Sequence, residues 1–139
     1  MHEPVSILWN SQDVDKITGG VSTDSWTCSG ISIDTRTLEK GDLFVALKGE
    51  QGVGELFLKN ACEKGAAAAL VSHMSEVPLP QLAAEDTLRA LEKLGIAARE
   101  RSSAKRIAVT GSVGKTGTKD MLKVALKDQG LTHGSVSSY

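Results

Sequence analysis

The chain has 139 residues, a formal net charge of −1 at pH 7 and 40% hydrophobic side chains, enough apolar material for one domain of ordinary size. Aromatic residues are 4% of the chain, with 14 glycines and 3 prolines, a balance that argues against collagen-like, disordered and membrane-spanning classes. A soluble α/β or α+β protein is the class that remains.

Met1-His2-Glu3-Pro4 lacks the basic-then-apolar order of a secretory signal, so the expected compartment is the cytosol. Near-neutral charge gives no reason to expect nucleic acid or a membrane as partner, and a monomer is expected. Cys28 and Cys62 stand outside any Cys-x-x-Cys pair, and His2, His73 and His133 are scattered, which speaks against a His/Cys metal site. The charge is unevenly spread. Residues 1–34 hold one lysine against five acids, whereas residues 99–127 hold eight Lys and Arg against two acids, so the C-terminal part favours an anion.

Ser11 is a plausible N-cap for a short helix to about Ile17, with Gly19-Gly20 as its stop. Gly30–Asp34 alternates apolar and polar residues like a short strand, and Leu43–Leu47 reads as a more buried one. Between them lies a turn carrying Asp34, Thr35, Arg36 and Thr37. The spacing of Leu56, Phe57, Asn60 and Ala61 predicts a helix over 55–64 that stops at Gly65, followed by a strand over 67–71. Residues 72–80 read as loop and Gln81–Ala84 as a weak strand. Asp86 or Thr87 can cap the next helix, in which Leu88, Leu91, Gly95 and Ala98 recur at helical spacing up to Arg101.

Ser102-Ser103-Ala104 reads as a linker, giving two expected domains, 1–101 and 102–139. Arg106–Thr110 is an apolar strand that enters Gly111-Ser-Val-Gly-Lys-Thr116. From Lys115 to about Gln129 the sequence is helical, with Met121, Leu122, Ala125 and Leu126 on one side and Gly130 as the stop. The full phosphate-loop pattern asks for a first glycine at position 109, where Val109 stands, so the match is to the shorter Thr-Gly-Ser-Val-Gly-Lys-Thr form. Strand before and helix after are the context this chemistry requires. Gly111 and Gly114 let the backbone curl around a phosphate, Lys115 reaches its oxygens, and the Thr116 hydroxyl suits Mg²⁺. Beyond Thr116 the acids Asp120 and Asp128 both fall on the expected helix, so neither sits where a metal-binding acid at a later strand end would.

Residues 110–122, Thr-Gly-Ser-Val-Gly-Lys-Thr-Gly-Thr-Lys-Asp-Met-Leu, preceded by Ile-Ser-Ile-Asp-Thr-Arg-Thr-Leu-Glu-Lys-Gly-Asp-Leu-Phe-Val-Ala-Leu-Lys-Gly-Glu at 31–50, resemble the Mur ligase family. Within it the resemblance is to members that join D-alanyl-D-alanine to UDP-N-acetylmuramoyl-tripeptide in peptidoglycan synthesis. It implies an α/β chain: a small N-terminal domain for the UDP substrate, then the first strand, P-loop and helix of a central ATP-binding domain. The family's later metal ligands, adenine pocket and C-terminal domain would lie beyond Tyr139.

In that family ATP phosphorylates the substrate carboxylate and the incoming amine attacks the acyl phosphate. Carried over, Thr110, Gly111, Ser112, Val113, Gly114, Lys115, Thr116 and Gly117 would cradle ATP, with Lys115 and Thr116 in catalytic roles and Thr116 on Mg²⁺. Thr35, Arg36, Lys48 and Gly49 would lie near the UDP diphosphate, where an Arg fork suits phosphate. Val53-Gly54-Glu55 replaces the family's Asp-Gly-His, and Glu55 would repel the substrate's phosphates. Val113 stands where many members have Asn. The resemblance implies that residues 1–139 alone do not catalyse. A non-catalytic module binding UDP-muramoyl peptide or nucleotide is a second reading, and a fragment of an unrelated P-loop kinase or GTPase a third.

Overall fold

Two runs, Asp42–Val45 and Ala68–Val71, apolar apart from Asp42, are buried along their whole length, as strands covered on both faces are. A computed structural model describes residues 7–47, 55–108, 115–127 and 133. In chain order the elements are β1 Trp9–Asn10, α1 Ser11–Thr18, β2 Val21–Ser22, β3 Thr27–Cys28, β4 Gly30–Ser32, β5 Asp42–Val45, α2 Glu55–Glu63, β6 Ala68–Val71, β7 Gln81–Ala83, α3 Thr87–Arg101 and α4 Lys115–Leu126. The chain divides into two compact units, Met1–Ser102 and Ser103–Tyr139.

The first unit is built on a five-stranded sheet of order β2-β7-β6-β5-β4. Strands β4 to β7 run parallel, and β2 closes one rim antiparallel to β7. Register places Val45 opposite Leu70 and Leu70 opposite Leu82. Because side chains alternate along a strand, Leu43, Val45, Ala68, Leu70 and Leu82 share one face. There they pack with Val14 of α1 and with Ala90 and Leu94 of α3. Phe44, Ala46, Ala69 and Val71 form the other face and receive Leu58 and Ala61 of α2. Each of the fully buried leucines contributes about 1.5–3 kcal/mol. A separate ribbon pairs β1 with β3, Trp9 opposite Cys28.

Three expectations need correction in this unit. The cap of α1 is Asn10, not Ser11: Asn10 has extended backbone, and its Oδ1 accepts from the Asp13 N–H at 2.9 Å. Ser11 is the first helical residue, and its hydroxyl accepts from Trp26 N. The buried stripe of α3 is Thr87, Ala90 and Leu94; of the expected face, Leu91 and Ala98 pack partly buried against the same core, whereas Leu88 is 53% exposed and Gly95 open. The helix takes this rotation because the Thr87 hydroxyl donates to the Ala46 carbonyl at 2.9 Å, while Asp86 supplies the cap. Strand β4 ends at Ser32 and β5 at Val45, shorter than the alternation suggested. The stops at Gly19 and Gly65 are as expected, at φ 75 and φ 86.

In the second unit α4 starts at Lys115, as expected, and ends at Leu126. Leu122 and Leu126 are half-buried, whereas Met121 is 75% exposed, so the expected apolar face is only partly covered. Residues 106–108 form no strand, and Ile107 lies exposed. A strand exists only against a neighbour that closes its ladder, and none occurs among the described residues of this unit. Val109, Thr110 and Gly130 lie outside the described residues.

Candidate functional site

Parallel strands β4 to β7 bring their C-terminal ends to one edge, the edge at which open α/β sheets bind ligands. From β4 the chain leaves through Asp34-Thr-Arg-Thr37. The Ser32 hydroxyl donates to the Asp34 carbonyl at 2.8 Å, and the Thr37 N–H donates to the same oxygen at 3.2 Å. The Asp34 carboxylate accepts from the Arg36 backbone N–H at 2.8 Å, a turn that Asp forms readily.

The same carboxylate takes the Arg36 side chain: Nε donates at 3.0 Å to one oxygen and Nη2 at 2.7 Å to the other. Arg36 is 87% exposed all the same, and its Nη1 makes no hydrogen bond among the described residues, so part of the fork faces solvent. The side-chain hydrogen bond from Arg36 is the main reason the Asp34 carboxyl falls from 3.8 to about 2. Asp34 in turn raises the Arg36 guanidinium. Thr35, between them, is buried, and its carbonyl accepts from the Lys64 ammonium just past α2.

Thr35 and Arg36 therefore share one turn. Lys48 and Gly49 lie outside the described residues, as does Val53. Leu47, which precedes them, lines a cavity of about 910 Å³ where the end of β7 meets the start of α3. Arg89 and Lys93 of α3 and Glu85 and Asp86 of its cap line the same cavity. Arg89 and Lys93 stand about one helical turn apart, a basic pair visible in the sequence spacing alone.

Of the expected phosphate loop, Thr110, Gly111, Ser112, Val113 and Gly114 lie outside the described residues. Lys115, Thr116 and Gly117 form the first turn of α4, which contains no acid. A helix start free of acids suits an anion. Among the described residues there is no group of three or more His, Cys, Asp and Glu that could hold a metal, and no helix long and apolar enough to cross a membrane. Cys28 is buried, and that burial pushes its thiol up, so it is an inert core residue rather than a nucleophile.

Residues 27–87 match the profile described as "Mur ligase family, catalytic domain". That segment runs from β3 to the first residue of α3 and includes the Asp34–Thr37 turn. The UDP-N-acetylmuramoyl-tripeptide--D-alanyl-D-alanine ligase of Rickettsia prowazekii (strain Madrid E) is 34% identical over 135 residues, which are 96% of this chain and 30% of that protein. A structure of UDP-N-acetylmuramoylalanyl-D-glutamyl-2,6-diaminopimelate--D-alanyl-D-alanyl ligase from Acinetobacter baumannii superposes with a TM-score of 0.72 at 33% identity. It covers 92% of this chain and 30% of that one. The MurF ligase of Thermotoga maritima, solved in complex with ADP, superposes with a TM-score of 0.56 at 30% identity over 71% of this chain and 23% of its own. The chain thus spans about 30% of the length of the first of these relatives. In sequence and in fold the chain is similar to these ligases, and residues 27–87 carry the Mur ligase family profile.

Proposed function

We propose that these residues are part of an ATP-dependent amide-bond ligase that adds D-alanyl-D-alanine to UDP-N-acetylmuramoyl-tripeptide in peptidoglycan synthesis. Residues 1–101 hold the UDP end of the substrate, and residues 102–139 open the ATP-binding domain. The observation that carries this reading is the likeness to the Acinetobacter baumannii ligase, which extends over 92% of the chain at 33% identity. It is supported by the exposed Arg36 fork at the ligand-binding edge of the sheet, because guanidinium geometry matches a diphosphate.

The donor set at the start of α4 fits a nucleotide: an acid-free first helical turn, a lysine and then a hydroxyl residue. Lys115 would neutralise charge on the phosphates, Thr116 would ligate Mg²⁺, and Thr110 to Gly114 with Gly117 would turn backbone N–H groups toward the oxygens. When bound, ATP supplies the phosphoryl group that activates the substrate carboxylate. The work is that of a monomer in the cytosol, and residues 1–139 by themselves bind without turning over.

Calorimetric titration of the 139-residue chain with UDP-N-acetylmuramoyl-tripeptide tests the substrate half. Saturable binding that weakens about tenfold in Arg36→Ala is expected, the scale of one charged hydrogen bond. Absence of binding to the unmodified chain overturns it. For the nucleotide half, a fluorescent ATP analogue should bind the chain and fail to bind Lys115→Ala.

A further inference from the structure

Helix α2 ends at Glu63, and the Lys64-Gly65 step that follows determines what Lys64 touches. Gly65 takes the left-handed conformation, φ 86, and a Cβ there would stand 3.0 Å from Lys40 Cγ. Only glycine permits both the turn and that approach. The Gly65 carbonyl accepts from the Gly41 N–H at 2.9 Å, which seats the end of α2 on the connection between β4 and β5. The same connection begins with the Asp34–Thr37 turn. From this seat Lys64 reaches 29 residues back along the chain and donates its ammonium to the Thr35 carbonyl.

The Thr35 carbonyl and the Arg36 N–H are the two ends of a single planar peptide. Lys64 grips the carbonyl end, and the Asp34 carboxylate grips the N–H end at 2.8 Å. A peptide held at both ends cannot rotate without breaking a charge-assisted hydrogen bond. Its orientation sets where the Arg36 Cα points, and therefore where the guanidinium fork is presented. Lys64 is also a second cation beside Asp34, so the turn keeps a positive balance with one carboxylate between two bases.

We propose that Lys64 is a positioning residue for the Thr35–Arg36 turn, holding the peptide between them so that the Arg36 fork meets the diphosphate of the substrate. This rests on the reading of the turn as the UDP-substrate site. Lys64 acts through the Thr35 carbonyl and makes no contact with the substrate.

The test uses the 139-residue chain, Lys64→Met and Lys64→Arg. Lys64 is an exposed residue, so Lys64→Met should lose no more than that one hydrogen bond, lowering the melting temperature by a few degrees and leaving all three folded. Without ligand, the Arg36 amide in Lys64→Met should exchange with solvent about tenfold faster, the scale of one lost charge-assisted hydrogen bond. Lys64→Arg should restore the slow rate. Affinity for UDP-N-acetylmuramoyl-tripeptide, read by calorimetry, should fall in Lys64→Met and recover in Lys64→Arg. An Arg36 amide that exchanges equally fast with and without the Lys64 ammonium overturns the proposal. So does lost affinity in Lys64→Met with an unchanged amide, which would make Lys64 a direct ligand. If the unmodified chain fails to bind, the substrate reading falls, and the ligand-free exchange separately decides whether Lys64 orders the turn.

Discussion

The guanidinium of Arg101 lies 3.8 Å from the centre of the Trp9 ring, and its Nη2 donates to the Leu8 carbonyl at 2.7 Å. The last residue of α3 is thereby fastened to the first strand of the chain, across 93 positions of sequence. Trp9 is buried, so the cation sits on a ring face shielded from water on its other side. Arg101→Ala should lower stability by about 1–2 kcal/mol, the sum of a cation–π contact and a hydrogen bond. Arg101→Lys should recover part of it. Urea unfolding followed by tryptophan fluorescence measures both.

The parallel strands were legible because unbroken apolar runs such as Ala68–Val71 leave few alternatives between turn signals. Strands β1, β2 and β3 were not, since two residues cannot display an alternation and their pairing is decided by distant partners. The cap of α1 was misplaced by one residue because Asn10 and Ser11 are both good capping types. In α3, a stripe drawn through Leu88 was reasonable on hydrophobicity. The helix instead turns Thr87 inward to reach Ala46, a bond across 41 residues. At the candidate site, the Asp34–Thr37 turn was visible in its own residues, while Lys64 carried no local sign of its role.

Two glycines should respond to alanine in opposite directions. Gly95 lies in the middle of α3 with nothing within 4 Å of an added Cβ, so Gly95→Ala should stabilise by about 0.5–1 kcal/mol through helix propensity. A Cβ at Gly20 would stand 2.6 Å from the Ala83 carbonyl and 2.6 Å from Leu82 Cδ1. Gly20→Ala should therefore destabilise by about 1–3 kcal/mol as the sheet rim shifts. Thermal denaturation of the two variants side by side reads the difference.

Acid titration reports on the turn directly. The Asp34 carboxyl is held at about 2 rather than 3.8, chiefly by the Arg36 hydrogen bond. A lowered carboxyl pKa favours the folded chain at every pH above 3.8, and that contribution declines as pH falls from there toward about 2. In Arg36→Gln the Asp34 midpoint, followed by carbon-detected NMR, should climb toward 3.8. A midpoint that stays low would mean that the backbone N–H alone sets it.

The two thiols should react in a fixed order. Cys28 is 2% exposed and its thiol is pushed up by burial, whereas Cys62 is half-buried, 3.5 Å from the Pro78 carbonyl. Iodoacetamide at neutral pH should label Cys62 first and reach Cys28 only as the fold opens. Mass spectrometry of peptides after timed labelling, with and without urea, checks this.

The sheet of the first unit ends on β2 and β4, which have two and three residues. A copy of the chain approaching either rim would find only those few residues of open ladder, too little to seed a continuous intermolecular sheet. The longest strands, β5 and β6, are interior and already paired on both sides. Keeping the most aggregation-competent segments away from the rims gives this unit a built-in resistance to edge-to-edge fibre growth, independent of its charge.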